Sequence, residues 1–274
     1  MSGSSCQICN SSDFAEIAVA REYTSDQPLH VCKGCGFVQV LNRRPSAEIA
    51  SDWDDAGPDS ALYAANLASV EARHAYVART IQDYVTGKRV CDIGAGCGTF
   101  LALLRDNFDA LGLLGVSPSA VDCAAMAEIG IPSFQGLAEN CDFTGYDTAT
   151  LIWTLENTGS CKATVSKART IVGPGGHVVV ATGSRLLVPF KKPLDSYLGK
   201  APLDLHPWRF SKKTLIGLLR ANALDPVFVN RYIDGDHLVV VAKWAPEPMI
   251  WKGDDYKAVL KFFRRWHWAT QHYV

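Results

Sequence analysis

The sequence predicts an α/β fold: a seven-stranded, mostly parallel sheet covered by helices, with a small cysteine-rich module at the N-terminus. Two Cys-x-x-Cys pairs stand near the start of the chain. A glycine-rich turn at residues 94–98 follows an apolar strand pattern and leads into a helical pattern. Beyond that turn, strand and helix patterns alternate, which is typical of a parallel sheet with helices on both faces.

The composition excludes several classes of protein. The chain has 274 residues, of which 48% are hydrophobic and 20% charged, so it can form a large core and is not extensively disordered. A net charge of -1 disfavours nucleic acid as a partner. No apolar run approaches the roughly 18 residues that span a bilayer, so no membrane partner is expected. Residues 1–10 are polar, unlike a signal peptide, and we expect a cytoplasmic protein, where disulfides are rare.

Four of the nine cysteines form the two pairs, Cys6 with Cys9 and Cys32 with Cys35. Each pair places two thiolates on one turn, and two such turns supply the tetrahedral sulfur ligands that zinc prefers. Four thiolates leave no open coordination position, so the ion would be structural. Residues 1–45 are therefore predicted to be a zinc-binding module that the metal holds together, because so short a segment buries little core. Redox Cys-x-x-Cys motifs are the alternative.

Residues 46–86 are predicted to be an acidic linker followed by a connecting helix, which runs from residue 60 to residue 85. Apolar side chains recur along it at spacings of three and four, and Tyr63 and His74 lie on this stripe. Core packing is the favoured role for both, although Tyr63 is also a second-choice general base. Arg73 and Tyr76 fall off the stripe, so we expect them to face a cleft and contact a substrate.

The glycine-rich turn has the pattern D-x-G-x-G-x-G, in which Asp92 ends the strand and Gly94, Gly96 and Gly98 follow. This spacing differs from the G-x-G-x-x-G of dinucleotide-binding folds. A strand–turn–helix unit of this kind places a ligand where the backbone carries no side chains and the helix N-terminus points at it. A purely structural turn is the alternative.

The remaining elements complete the predicted sheet. The strands after the turn are expected at residues 110–116, 131–134, 148–154, 177–182, 227–232 and 237–243, and the helices at 118–129, 160–172 and 211–221. The last two strands have no helix between them, so they are expected to form an antiparallel hairpin at one edge of the sheet.

These motifs resemble the class I methyltransferases that use S-adenosylmethionine (SAM) and carry an N-terminal four-cysteine zinc module. Many of them act on sugars or small metabolites of cell-surface or natural-product pathways. The likeness rests on CQIC with CKGCGFVQVLNRRPS, on VCDIGAGCGTFLALL, on LENTGSCKATVSKARTIVGPGGHVVVATG and on HPWRFSKKTLIGLLRANAL. It implies a Rossmann-like SAM-binding domain at residues 87–246 with a basic substrate-loop insertion at 183–211, and a C-terminal amphipathic helix within 247–274.

The resemblance implies a cofactor site after the first four strands of this sheet, with SAM contacted by Asp92, Gly94, Ala95, Gly96, Gly98, Ser117, Pro118, Leu137, Ala138 and Trp153. The chain departs from the family pattern at two positions. Ser117 stands where relatives carry the acidic residue that binds the cofactor ribose, so either cofactor binding is weaker or another group reaches the ribose. Glu156 is followed by Asn157, where many relatives have histidine.

The acceptor side of the site needs a group that holds the nucleophile in line with the methyl carbon, and a base if a hydroxyl or acidic carbon is methylated. His206 is the first candidate base, and Glu156 and Tyr63 are the second choices. A histidine in a surface turn is the alternative role of His206. Candidate contacts to the acceptor are Arg73, Tyr76, Asn157, Trp208 and Arg209.

Residues 185–213 carry seven Lys or Arg against two Asp, which favours a phosphate-bearing acceptor such as a nucleotide-linked sugar; a solvated insertion is the alternative. The helix predicted at 254–270 has one apolar and one basic face. Docking on the body of the protein and a homodimer contact are its two main alternatives, with an RNA-facing or membrane-surface role less favoured.

The sequence thus predicts a SAM-dependent methyltransferase with a structural zinc ion and a small-molecule acceptor. An RNA methyltransferase acting on rRNA or tRNA is one alternative class. A catalytically degenerate SAM-binding or scaffold relative is the other, because a shared fold does not fix function.

Overall fold

A computed structural model describes residues 5–24, 27–44, 48–49, 61–183, 193–198, 203–231 and 237–272 of the chain. Its strands are β1 Phe14–Glu16, β2 Leu29–Cys32, β3 Val38–Val40, β4 Arg89–Ile93, β5 Leu111–Ser117, β6 Ser133–Gln135, β7 Thr148–Ile152, β8 His177–Thr182, β9 Trp208–Arg209, β10 Leu224–Val229 and β11 Leu238–Trp244. Its α-helices are α1 Arg21–Thr24, α2 Ala61–Thr80, α3 Gln82–Val85, α4 Thr99–Phe108, α5 Ala120–Glu128, α6 Cys161–Val172, α7 Leu194–Leu198, α8 Lys212–Ala221 and α9 Tyr256–Thr270.

The large sheet has seven strands in the order β10-β11-β8-β7-β4-β5-β6. Its five strands from β4 to β8 pair in parallel, while β11 is antiparallel to both β8 and β10. The central strands are buried on both faces, which explains their continuous apolar sequences. The predicted fold class and the antiparallel hairpin at the edge are confirmed.

Three of the helices around this sheet begin at a serine that caps them. The side chains of Ser119, Ser160 and Ser211 accept a hydrogen bond from the first turn of α5, α6 and α8, which satisfies a backbone N–H group that has no partner within the helix. The helix predicted at 60–85 is instead interrupted at Ile81, which separates α2 from α3. The strand predicted at 227–232 begins earlier, at Leu224, and contains a bulge at the edge of the sheet.

The small sheet has the order β1-β2-β3-β9 and is antiparallel throughout. Its first three strands come from the N-terminal segment, but β9 comes from residues 208–209. The small sheet therefore joins the N-terminal module to a segment that lies more than 160 residues later in the chain. The predicted domain boundaries stay predictions. The pairing of β3 with β9 is a contact between two segments that are far apart in the chain and that belong to different predicted domains.

The C-terminal helix α9 docks on the small sheet. Val259, Phe263 and Trp266 are buried with Leu29 and Val31 of β2, so the apolar face of α9 is used within the chain. Its basic side chains, Lys257, Lys261, Arg264 and Arg265, are exposed. In the described part of the chain, no helix combines the length and apolar character required to cross a membrane.

The chain passes close to the second cysteine pair just before α9. The backbone N–H of Asp254 donates to the carbonyl of Cys35 at 3.0 Å, and a Cβ on Gly253 would lie 2.2 Å from that carbonyl oxygen. A methyl group cannot fit there unless the backbone shifts, because the atom it would strike is main chain rather than a flexible side chain.

Replacing Gly253 with alanine is therefore expected to lower the free energy of unfolding by about 1–3 kcal/mol through overpacking. The matched control is Gly159→Ala, since a Cβ on Gly159 would meet nothing within 4 Å. Urea denaturation followed by far-ultraviolet circular dichroism measures both variants. Equal stability of the two would show that the contact at Cys35 relaxes at little cost.

Candidate functional site

The glycine-rich turn adopts a backbone that other residues rarely adopt. Gly94, Gly96 and Gly98 have φ angles of +76°, +52° and +81°, in the left-handed region where a Cβ is unfavourable. A Cβ on Gly94 would overlap the side chain of Thr154, whereas one on Gly96 would meet nothing within 4 Å. The backbone N–H groups of Gly94 and Ala95 donate to the carbonyl of Val116. The turn is thus fixed against β5 while its middle faces open space.

Asp92 lies beneath this turn, in the interior of the large sheet. Its side chain is 2% exposed, and its Oδ1 accepts a hydrogen bond from the hydroxyl of Thr150 at 2.6 Å. Burial raises the pKa of Asp92 to about 7, although the bond from Thr150 opposes the rise. A cation near this carboxylate would favour its charged form. The sequence did not mark Thr150 as part of the site.

The ends of β5 and β6 contribute the next predicted cofactor residues at the same edge of the sheet. Ser117 is buried and its hydroxyl donates to Asp122 Oδ2 at 2.8 Å. Pro118 is exposed. After β6, Leu137 is 56% exposed while Ala138 is buried. Because the carboxyl ends of parallel strands meet at one edge, these residues border the same opening as the glycine turn.

Trp153 follows β7 in a strained conformation, with a φ of +54°, which is rare for a bulky residue. The guanidinium of Arg73 lies 5.0 Å from the centre of its ring, and the rings of His74 and His237 lie 6.1 and 5.2 Å away. Its indole nitrogen is buried and has no hydrogen-bond partner in the described ranges. Backbone strain and an unsatisfied buried donor are both typical of functional positions.

Asn157 and His206 meet at the end of the loop that Trp153 begins. Asn157 Nδ2 donates to the carbonyl of Trp153 at 3.0 Å, so its Oδ1 is the acceptor that faces His206 Nδ1, 2.5 Å away. His206 Nδ1 must therefore carry the proton, which leaves the lone pair on Nε2. Burial, with a smaller effect of Arg209, lowers the pKa of His206 to about 4. The imidazole is neutral at physiological pH.

The segment around His206 is held by contacts from two sides. The fully buried carboxylate of Asp204 accepts hydrogen bonds from the backbone and the guanidinium of Arg44, at 2.8 to 3.2 Å. Burial opposes ionisation of Asp204, but these bonds lower its pKa overall. On the other side, Trp208 Nε1 donates to the carbonyl of Thr158 at 2.7 Å. The N-terminal module and the β7 loop together fix this histidine.

Glu156, which precedes Asn157 in the chain, and Arg209 are both buried ionisable residues. Glu156 is 3% exposed, its Oε1 accepts from the backbone of Gly183 at 3.3 Å, and Oε2 has no hydrogen-bond partner within the described segments. Burial raises the pKa of Glu156 to about 7, although hydrogen bonds from the backbone, Thr182 and Gly183 and, to a smaller extent, the charge of Arg209 act to lower it. The guanidinium of Arg209 is buried and lies 5.0 Å from the ring centre of Tyr197. Arg209 is therefore not a solvated charge.

The other predicted site residues either lie near the residues described above or fall outside the part of the chain that the structure describes. Trp208 is buried against Phe37, with ring centres 6.2 Å apart, so it packs in the core. The hydroxyl of Tyr76 accepts a bond from Asn230 at 2.8 Å. Tyr63 belongs to α2, but its side chain lies outside the described residues. The same holds for four basic residues of the insertion: Arg185, Lys191, Lys192 and Lys200.

The four paired cysteines form a compact cluster. Their sulfur atoms all lie within 4.8 Å of one another, with Cys6 to Cys35 at 3.6 Å and Cys9 to Cys32 at 3.5 Å. A tetrahedral zinc ion with zinc–sulfur bonds of about 2.3 Å needs sulfurs about 3.8 Å apart. Hydrogen bonding to Cys32 and burial raise the pKa of Cys6 to about 12. The donor set and spacing fit zinc, which would stabilise four adjacent thiolates.

The comparisons with known proteins agree with this arrangement. The model of a family described as a methyltransferase domain matches residues 69–227, more than half of the chain. The chain belongs to this methyltransferase family. The predicted enzyme class, a SAM-dependent methyltransferase, is thereby confirmed. No curated protein sequence matches the chain.

Solved structures share the fold at low sequence identity. One is 1,6-didemethyltoxoflavin-N1-methyltransferase of Burkholderia thailandensis, with bound 1,6-didemethyltoxoflavin and S-adenosylhomocysteine (TM-score 0.55, 15% identity, 76% of this chain and 96% of that chain). A second is the mitomycin 7-O-methyltransferase MmcR (0.54, 16%, 67% and 56%). A third is TnmH (0.53, 21%, 73% and 61%). At such identities the likeness concerns the fold.

Proposed function

We propose that this methyltransferase transfers the methyl group of SAM to a small anionic or sugar-type acceptor. The observation that carries the proposal is the β7 loop, which contacts both halves of the site. Thr154 Oγ1 lies 3.3 Å from the carbonyl of Gly94, and Asn157, three residues later, contacts His206. A cofactor on the glycine turn would therefore meet an acceptor beside His206.

The residues of the glycine turn and its surroundings fit SAM. The open backbone at Gly96 leaves room for the methionine end, and the buried carboxylate of Asp92 favours a nearby ammonium group. When bound, SAM supplies a methyl group on a sulfonium sulfur, which needs no metal and only an in-line nucleophile. The strained position of Trp153 between the two halves suits it to orient an acceptor.

His206 is the candidate base on the acceptor side. Asn157 holds its Nδ1–H, so the lone pair of the neutral ring lies on Nε2, which would be the atom that takes a proton from an acceptor hydroxyl or acidic carbon. Its low pKa makes it a weak base, but it ensures that the neutral form is available at pH 7. Glu156 is buried nearby and requires deprotonation before it can act.

The side chains around Trp153 support the proposed acceptor class. The guanidinium of Arg73 over the Trp153 ring is half-buried, and burial lowers its pKa. An anionic group on the acceptor would stabilise that charge. A sugar ring can pack on the apolar face of an indole, so a nucleotide-linked sugar satisfies both features.

The cysteine cluster is proposed to bind one structural zinc ion. Zinc analysis of the purified protein should give about one ion per chain, because the four sulfurs form a complete tetrahedral set. Cys32→Ser should lose the ion, whereas Cys123→Ser, a change outside the cluster, should keep it. Retention of zinc by Cys32→Ser would place the metal elsewhere, and its absence from the native protein would contradict the proposal.

Cofactor binding can be tested at Gly96. Gly96→Val is expected to weaken S-adenosylhomocysteine binding by about 100-fold or more, because the side chain would fill the space above the turn. Gly87→Val is the control, since Gly87 also has a positive φ, +65°, and open space around it, but precedes β4 at the other end of the strand. Isothermal titration calorimetry measures both. Native protein that binds no S-adenosylhomocysteine would refute the proposed function.

The pH profile separates the two candidate bases, because their pKa values move in opposite directions from the usual ones. If neutral His206 is the base, kcat/KM should hold as pH falls and decline only near pH 4. If the Glu156 carboxylate is the base, the decline should come near pH 7.

The assay uses an acceptor found among nucleotide-linked sugars, with His206→Gln and Glu156→Gln as matched variants. We expect His206→Gln to lower kcat by about 100-fold or more. Glu156→Gln should leave unchanged the acid limb of the profile, which is the decline of kcat/KM at low pH. An acid limb near pH 7 that disappears in Glu156→Gln would assign the base to Glu156 instead.

A further inference from the structure

The hydroxyl of Ser117 is already engaged at the end of β5. It donates to Asp122 Oδ2 at 2.8 Å and accepts from the backbone N–H of Ser119 at 3.2 Å. Ser117 itself is only 2% exposed. With its proton directed at a carboxylate and its oxygen accepting from the backbone, this hydroxyl has little capacity left for a ligand.

Asp122 is in the first turn of α5, on the face that packs against the glycine turn. This orientation follows from Met126, four residues later on the same helix face. Met126 is fully buried, and its side chain fills the space where a Cβ on Gly98 or Gly115 would lie, with Met126 atoms 2.6 and 2.3 Å from those positions. Asp122 stands one turn closer to the N-terminus of α5, and thus nearer the carboxyl edge of the sheet. It is half-buried.

The local hydrogen bonds also fix the carboxylate. Ser119 caps α5 by accepting from the backbone N–H of Asp122 at 3.3 Å, and Ser117 holds one of its side-chain oxygens. A carboxylate can accept up to about four hydrogen bonds, which is more than the single bond that Ser117 donates. Two neighbouring hydroxyls of a ribose are hydrogen-bond donors, and their bonds to a carboxylate are stronger than those to a neutral oxygen.

We propose that Asp122, positioned by Ser117, accepts the ribose hydroxyls of the cofactor. This inference rests on the proposed function, since it names the residue that reads the nucleoside of the same site. The acidic group is supplied by the first turn of the helix rather than by the end of the strand. Ser117 acts as a positioning residue, whose hydrogen bond selects the orientation of the carboxylate.

Calorimetric titration of the full-length protein with S-adenosylhomocysteine tests this assignment. Asp122→Asn is expected to weaken binding by about 10- to 100-fold, because hydrogen bonds to a charged group are replaced by neutral ones. Ser117→Ala should weaken it less, by about 3- to 10-fold, since the carboxylate remains but loses its anchor. Glu128→Gln, an exposed acid at the far end of α5, should bind like the native protein.

A second titration uses the 2′-deoxyribose analogue of S-adenosylhomocysteine. The native protein should bind this analogue more weakly than the parent, and Asp122→Asn should discriminate between the two ligands by less than about 3-fold, because the interacting pair is already broken. Unchanged affinity in Asp122→Asn, or an equal loss for both ligands, would overturn the assignment. Native protein that binds neither ligand would refute the proposed function itself, so the two failures are distinguishable.

Discussion

The antiparallel pairing of β9 with β3 is the contact on which the proposed acceptor side of the site depends. It brings residues 208–209 to a sheet built from the N-terminal segment, and the carbonyl of Pro207 accepts a further bond from the backbone of Val40. His206 immediately precedes this anchored stretch. In the nearby ion pair with Arg44, the carboxylate of Asp204 is fully buried, so removing Arg44 would leave an uncompensated buried charge. The N-terminal module is therefore part of the frame of the site.

The proposed metal would stabilise this frame without contacting the site itself. Cys32 ends β2, which pairs with β3, and Cys35 receives a bond from Asp254 just before α9. A zinc ion would tie together the two turns from which these strands and the C-terminal connection emerge. A small sheet of three- and four-residue strands is marginal on its own. The metal, the docked helix α9 and strand β9 each add contacts that such a sheet lacks.

The sequence was sufficient to predict the strands of the large sheet and the edge of that sheet at which the candidate site lies. Local sterics determine the periodicity of strands and helices and the spacing of Gly94, Gly96 and Gly98. These patterns can therefore be recognised from residues that are close together in the sequence. The pairing of β9 with β3 could not be predicted, because two residues carry no periodicity. The hydrogen bond between Asn157 and His206 joins residues 49 positions apart, and no local pattern encodes it. Trp208 was expected at the acceptor, but its burial depends on Phe37, again a distant partner.

The two departures from the family pattern have related structural consequences. At Ser117 the expected carboxylate is missing, and the serine hydroxyl instead holds Asp122 five residues later. At Asn157 the expected histidine is missing, and the amide instead orients His206 from another segment. In each case the substituted residue forms a hydrogen bond to a group of the type that was lost. A hydrogen bond orients the group that it binds as well as stabilising it. A site can therefore keep the same chemical groups even when residues at other sequence positions supply them.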